Sequence, residues 1–178
     1  SSVADWARWD ETYRFMIDRN PQYIDDNLSL DAIHNLRIDL IAFHALAGER
    51  IQGVVASDAG AQDRLPMETF LPRSLPLAHP LQQDAAARGL KSWILMSPAG
   101  VVLFVSHPIL TNEGTGPSHG NLIMGRKLDD AAIARIATHT RIHLRAQQAA
   151  ARAAEDAFAT LGVIHYTPIA LRTEADSL

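Results

Sequence analysis

The sequence predicts an α+β domain in which helices pack on an antiparallel sheet. Two patterns indicate this class. Apolar residues recur at steps of three and four over residues 3–18, as on one side of a helix, whereas residues 38–56 and 90–127 carry short apolar runs bounded by turn residues. Runs of strands joined by hairpins, with helices on one side, are typical of an antiparallel sheet.

The composition is that of a globular domain. The chain has 178 residues, of which 47% are hydrophobic and 20% charged, enough for one well-packed domain. Its net charge of −4 argues against a nucleic-acid partner. The absence of cysteine excludes disulfides, zinc–thiolate sites and cysteine nucleophiles. No apolar run reaches the roughly 18 residues of a membrane span, and without a signal peptide we expect a segment of a longer protein.

The N-terminal third is predicted to be helical. One helix is expected over residues 3–18, and its apolar stripe consists of Trp6, Trp9, Tyr13, Met16 and Ile17. Asn20-Pro21 ends or kinks this helix, because proline disfavours the helical conformation of its predecessor. A second short helix follows, capped by Ser29 or Asp31, with Ala32, Ile33 and Leu36 on its buried side.

The middle of the chain predicts a hairpin followed by irregular structure. Two apolar strands, over residues 38–46 and 53–56, are joined through residues 47–50. Residues 57–80 contain four prolines and cannot hold long regular elements. Pro80 and Gly89 frame a predicted helix over residues 81–88, with proline at the start and glycine just past the end.

The remainder predicts three strands and then alternating elements. The strands cover residues 90–96, 101–105 and 121–127, and Asp129 caps a helix that buries Ala132, Ile133 and Ile136. Two-residue alternation over 138–146 predicts another strand, and an alanine-rich helix over 147–161 ends at Gly162. A last strand is expected from Val163. This order is typical of a PAS-like or Cache-like sensor domain.

Catalytic and metal motifs receive no support. His139 and His143 have helical zinc spacing, but in a strand they lie roughly 13 Å apart, too far to share one ion. The sequence contains neither a nucleophile elbow nor a phosphate-binding loop. We therefore expect no catalytic residue, no metal and no cofactor.

Two groups of residues leave a structural and a functional interpretation open. Arg126 follows apolar residues on one strand face, so it either reaches solvent at the sheet edge or holds an anion in a pocket. Gly125 beside it indicates a close approach, by the N-terminal helix or by a ligand. Trp9, Asp10 and Tyr13 cluster on one side of their helix, either as core with a hydrogen-bonding carboxylate or as the wall of a ligand pocket.

Four segments together resemble one family. They are "DWARWDETYRF" (residues 5–15), Asn20-Pro21 with Tyr23 and Asn27-Leu28, then residues 36–40, and finally His107-Pro108-Ile109-Leu110 with the Met124-Gly125-Arg126 strand. In this order they are similar to the fourth class of CHASE domains, the cyclase/histidine-kinase-associated sensory extracellular domains. The resemblance covers residues 3–144, with 147–178 a variable element leading to a missing membrane helix, and we expect 1–178 to be a single sensor domain.

The resemblance implies a sensory role and no enzyme activity of the domain itself. It implies an extracytoplasmic (periplasmic) location between two membrane helices, a PAS-like fold with a long N-terminal helix, and a cytoplasmic diguanylate cyclase, cyclic-di-GMP phosphodiesterase or histidine kinase as output. Membrane contact is expected only through the missing flanking helices. The N-terminal helix with Trp9, Asp10 and Tyr13 is expected to carry the signal and to be the contact of a homodimer.

A ligand pocket is predicted on one face of the sheet. That face is expected to contain Trp93, Leu95, Leu103, Val105, Met124 and Arg126, with Tyr23 or His107 near the rim. Arg126 would favour a small ligand with a carboxylate or another anionic group. The alternative is a structural or protein-interaction module with a filled core and no small-molecule pocket.

Overall fold

The structure is a computed structural model that describes residues 2–56 and 65–129. The chain divides into two compact units, Ser1–Lys127 and Leu128–Leu178, and the first is described here. The elements predicted after residue 129 lie outside the described residues. The helices are α1 Ser2–Ala7, α2 Asp10–Asp18, α3 Pro21–Asn27 and α4 Leu30–Asn35, and the strands are β1 Leu40–His44, β2 Arg50–Val55, β3 Lys91–Ser97, β4 Gly100–Pro108 and β5 Asn121–Lys127.

The five strands form one antiparallel sheet in the order β2-β1-β5-β4-β3, which confirms the predicted α+β class. The two predicted hairpins, β1–β2 and β3–β4, are both present. Strand β5 lies between them and pairs with β1 on one side and β4 on the other. Strand β5, the last of the three strands predicted over residues 90–127, therefore joins the two hairpins into a single sheet.

The predicted continuous helix over residues 3–18 is wrong, and no long N-terminal helix is seen among the described residues. The chain leaves the helix at Trp9, whose backbone is extended (φ −74°, ψ 131°), and α2 then starts at Asp10. Hydrogen bonds from the loop after β4 hold this break. The Ala7 carbonyl accepts from the Leu110 N–H at 3.0 Å, and Asp10 accepts from the Asn112 N–H at 2.9 Å. Neither proline nor glycine marks the break, so nothing in the local sequence indicates it.

The Asp10 carboxylate is expected to contribute measurably to stability at this break. It accepts two hydrogen bonds from Asn112, from the backbone N–H and from Nδ2, each at 2.9 Å. Replacing Asp10 by Ala should lower the free energy of unfolding by about 1 kcal/mol, because the bonds are charge-assisted but exposed. Denaturant unfolding measures this. Asp25→Ala, which removes another exposed carboxylate from α3, is the control, and an equal loss in both variants would contradict the role of Asp10.

The ends of the three helices α2, α3 and α4 follow from their local chemistry. Helix α2 ends before Arg19, which is left-handed (φ 58°), and Pro21 then occupies the first turn of α3. The Asn20 side chain caps α3 by accepting from Gln22 N. Ser29 caps α4 by accepting from Ala32 N, as one of the two predicted caps.

Both faces of the sheet are covered, each by a different part of the chain. The helix face is covered by α1 to α4, and its buried residues include Ile41, Phe43, Leu122 and Met124. The loop face is covered by residues 65–87, and its buried sheet residues include Leu40, Ala42, Phe104 and Ile123. Because side chains alternate along a strand, each pair of neighbouring residues contributes one side chain to each face.

The predicted helix over residues 81–88 is wrong, and this stretch consists of turns and irregular backbone. Here, hydrogen bonds between backbone N–H groups and nearby side chains compete with the backbone hydrogen bonds of a helix. The Asp84 carboxylate accepts from the N–H groups of Ala86 and Ala87, and His79 Nδ1 accepts from the Leu81 N–H. The segment instead turns Leu81, Gln82 and Gln83 inward, and each is at most 8% exposed.

Candidate functional site

The predicted ligand-binding residues do not share one face, so the single-face prediction is wrong. Leu103 pairs with Arg126, and both lie on the side of the sheet that carries Met124. Trp93 pairs with Phe104, so it lies on the loop face, as does Leu95. The register of β3 against β4 decides this, because a shift of one residue moves every side chain to the other face.

The predicted residues on the helix side differ in their exposure to solvent. Met124 is buried beneath the N-terminal helices, Leu103 is half-buried, and Arg126 is exposed. His107 also lies on the helix face, opposite Leu122, where its Nδ1 donates to the Pro108 carbonyl at 2.7 Å. Burial lowers the pKa of His107. The ligand-binding roles expected of these side chains stay predictions.

Gly125 does mark a close approach, but neither a helix nor a ligand makes it. A Cβ atom there would lie 2.8 Å from Leu40 Cδ2 and 3.0 Å from Phe104 Cε1. Both belong to neighbouring strands on the loop face. The glycine therefore makes room for large cross-strand neighbours in the core.

Tyr23 lines a cleft of about 240 Å³ between α2 and α3, and no strand residue is among its lining. The cleft also contains Glu11, Arg14, Phe15, Asp18, Asn20, Gln22, Asp26 and Asn27. Tyr23 has a structural role in this cleft. Its hydroxyl hydrogen-bonds to Thr12 Oγ1 at 2.7 Å, and its ring stacks on Phe15. Burial raises the pKa of Tyr23 to about 12, so its hydroxyl stays protonated.

The residues predicted for the signalling helix have different surroundings. Trp9 is 37% exposed and stacks on Trp6, with 5.1 Å between ring centroids. Tyr13 contacts the edge of His119 and donates to the Pro117 carbonyl at 3.3 Å. Trp9 and Tyr13 thus contact other aromatic rings, while the Asp10 carboxylate accepts two hydrogen bonds from Asn112, which agrees with the structural one of its two interpretations.

A polar cluster lies buried at one end of the loop face. It consists of His44, Gln82, Gln83, Ser106 and Asn121, and none of these residues is more than 8% exposed. His44 of β1 and Asn121 of β5 are direct cross-strand partners, and Ser106 lies on the neighbouring strand β4. The two glutamines come from the covering segment. The cluster is therefore enclosed between the sheet and its cover, which makes it the candidate site.

Hydrogen bonds fix the amides of Gln82 and Asn121. Gln82 Nε2 donates to the carbonyl oxygens of Ala45 and Leu46, at 3.0 and 2.8 Å. Asn121 Nδ2 donates to the Gln83 carbonyl at 3.2 Å. Carbonyl oxygens only accept, so each NH₂ group must face its carbonyl and the orientation of both amides is determined.

The same reasoning fixes Gln83 and His44. The Ser106 hydroxyl donates to the Leu81 carbonyl at 2.7 Å, so it must accept from Gln83 Nε2 at 3.1 Å. His44 Nδ1 lies 2.9 Å from the Gly48 carbonyl and therefore carries the proton of the neutral ring. His44 Nε2 is then an acceptor.

The electrostatics of the cluster keep His44 neutral. Burial is the largest cause that lowers its pKa to about 4, and the positive charges of Arg50 and of protonated His79 lower it further. The hydrogen bond to Gly48 opposes this shift. Burial also lowers the pKa of His79, which lies in the covering segment.

Sequence reasoning missed this cluster, although a weak signal was present. His44 and Asn121 occupy inward-facing positions of strands whose other inward residues are apolar. A polar residue at such a position is unusual and indicates a hydrogen-bonding or binding role. Gln82 and Gln83 carried no such signal, because they were expected in a helix over residues 81–88.

Metal and membrane-spanning features are not seen in the described ranges 2–56 and 65–129. There, no three acidic, cysteine or histidine side chains are grouped so that they could hold a metal ion. Within the same ranges, no helix has the length and apolar character needed to cross a membrane. The histidine pair His139 and His143 lies outside the described residues.

The comparison with known proteins decides the family. The model of the CHASE4 domain matches residues 1–147. The chain belongs to the CHASE4 domain family. This CHASE4 domain is 30% identical, over 144 residues, to the "Methanogenesis regulatory histidine kinase FilI" of Methanothrix harundinacea (strain 6Ac). The match covers 81% of this chain but 16% of the relative, so the chain spans about one sixth of that kinase.

Family membership and this relative make the CHASE4 domain a sensory domain of a signalling protein. The domain itself is not an enzyme, and the kinase named in the relative is a much longer protein. The predicted family is thereby confirmed.

Proposed function

We propose that this CHASE4 domain is the extracytoplasmic input domain of a membrane-bound signalling protein and that it binds a small ligand. Binding is passed through the terminal segments to a cytoplasmic histidine kinase, diguanylate cyclase or cyclic-di-GMP phosphodiesterase. A ligand changes the output only through its different affinity for two arrangements of the domain.

The observation that supports ligand binding is the buried polar cluster beneath residues 79–87. Its residues come from β1, β4, β5 and the covering segment, so a bound molecule would contact four parts of the domain at once. Strand β4 in turn packs against α1 on the helix face. A change at the cluster can thus reach the N-terminal helices through the sheet.

A second candidate function, a protein-interaction module, has its own observation. Strand β3 is the edge of the sheet and exposes Ile94 (47%) and Met96 (43%). An edge strand with apolar side chains can pair with a partner protein. In this alternative, a partner protein and no small molecule would change the output.

The two candidates are separated by testing the full-length receptor in membrane vesicles with a library of small metabolites. Ligand sensing predicts that at least one compound changes the phosphorylation or cyclic-di-GMP output and also raises the melting temperature of the 178-residue chain. A receptor that responds only to an added protein, with no compound active, would contradict it. Ile94→Asp is the matched variant for the interaction candidate and should leave a small-molecule response intact.

The location is tested on intact cells. The chain has no cysteine, and Ile17 is 59% exposed, so an Ile17→Cys receptor should react with a membrane-impermeant maleimide. The unsubstituted receptor is the control. Labelling that requires cell lysis would overturn the extracytoplasmic location.

A further inference from the structure

The polar cluster has an unusual balance of hydrogen-bonding groups. Four of its buried atoms have no hydrogen-bond partner in the described part of the chain: His44 Nε2, Gln82 Oε1, Gln83 Oε1 and Asn121 Oδ1. Buried polar atoms are nearly always paired, and an unpaired one destabilises the folded state. Four unpaired atoms in one cluster indicate that a molecule other than the protein supplies their hydrogen-bond partners.

All four atoms are acceptors. The three amide oxygens accept by their nature, and each amide is fixed by the bonds of its own nitrogen. His44 Nε2 accepts because the proton of the ring is on Nδ1, facing Gly48. The Ser106 hydroxyl gives its proton to Leu81 and both N–H groups of Gln82 donate to carbonyl oxygens, so the donors that remain are the second N–H of Gln83 and of Asn121.

The four acceptors lie close together in the fold. His44 and Asn121 face each other across β1 and β5. Gln82 is bonded to the two residues that follow His44, and Gln83 is bonded through its carbonyl to Asn121. The four side chains therefore form one connected group at one end of the loop face.

From this chemistry we infer that the polar cluster binds a small neutral molecule that donates several hydrogen bonds, such as a primary carboxamide or a related N–H-rich compound. An anion would face four unpaired acceptor atoms, with no positively charged side chain in the cluster and at most the second N–H of Gln83 and of Asn121 to bind it. A buried cation would lack a carboxylate, because none belongs to the cluster, and would be repelled by Arg50, which already acts on His44. The inference rests on the proposed sensing function and names the ligand class for its site.

The test is a binding titration of the 178-residue chain, followed by NMR of the side-chain amides of Gln82, Gln83 and Asn121. The probes are acetamide, N,N-dimethylacetamide, acetate and methylammonium. Acetamide should bind at least tenfold more tightly than N,N-dimethylacetamide, which has the same carbonyl but no N–H donor. Equal binding of these two amides, or tighter binding of acetate or methylammonium, would overturn the inference. So would the absence of saturable binding by any probe, which would mean that the cluster holds water only.

Two variants locate the binding. Gln83→Met keeps the side-chain length but removes the free acceptor, and it should weaken acetamide binding at least fivefold. Gln22→Met, the same change at an exposed glutamine on α3, should leave it unchanged. Ser106→Ala is a smaller change that frees Gln83 Nε2 as a donor, so it should reduce the discrimination against acetate. Unchanged affinities in both cluster variants would contradict a site there.

Failure of this inference and failure of the proposed function are distinguishable. If the full-length receptor responds to some compound but acetamide shows no preference over N,N-dimethylacetamide, the ligand class is wrong and sensing stands. If acetamide shows the preference but no compound alters the receptor output, the binding site stands and the sensing function is wrong.

Discussion

Replacing Gly48 by alanine is expected to lower the free energy of unfolding by at least about 3 kcal/mol. Gly48 adopts φ +95°, and a Cβ atom there would lie 1.9 Å from the Leu75 carbonyl oxygen. Backbone atoms cannot give way as a flexible side chain can. The Gly48 carbonyl also accepts from Leu75 N and from His44 Nδ1, so its displacement would disturb the covering segment and the polar cluster together.

Denaturant unfolding of the 178-residue chain measures the effect, and Gly89→Ala is the matched control. A Cβ atom at Gly89 meets nothing within 4 Å. That variant should change stability by no more than about 1 kcal/mol, in the stabilising direction if at all. If the two variants unfold at the same denaturant concentration, the close approach of residue 48 to the covering segment is contradicted.

The second large effect is a loss of stability in mild acid. His44 has a pKa of about 4 in the folded chain, against an ordinary value of 6.5. Between these pH values the unfolded chain binds a proton that folded His44 does not, so stability falls as the pH falls. Well above pH 6.5 and well below pH 4 this group adds no pH dependence. The whole shift corresponds to about 3 kcal/mol, and about 2 kcal/mol of it is expected between roughly pH 7.5 and 5.

The measurement is a series of denaturant unfolding curves from about pH 7.5 to 5, above the range in which carboxylates normally titrate. His79 and His107 have pKa values lowered in the same direction by burial, so they add to the loss. His44→Leu should reduce the pH dependence clearly, whereas His34→Leu, on an exposed position of α4, should retain it. An equally steep dependence without His44 would show that other groups cause it.

The candidate site was less predictable than the fold. The apolar strands 90–96, 101–105 and 121–127 were recognisable, but their faces were not, because faces depend on the register between strands. Trp93 was therefore placed beside Arg126, although it pairs with Phe104 and faces the other way. The polar cluster was missed because its members come from four separate parts of the chain and meet only in the folded sheet.

The sequence by itself determined the features that depend on local chemistry. Short apolar runs specified the strands, turn residues specified the two hairpins, and Asn20-Pro21 and Ser29 specified where helices stop and start. Its motifs also identified the family, since residues 5–15 and the Met124-Gly125-Arg126 strand occur in the order typical of CHASE4 domains.

Tertiary structure alone decided the features that depend on contacts between distant residues. The helix break at Trp9 is held by Leu110 and Asn112, about a hundred residues away. The burial of His44 beside Asn121 depends on β5 entering the sheet between the two hairpins. Local propensities contribute only tenths of a kcal/mol per residue, so a few buried hydrogen bonds and a strand pairing outweigh them.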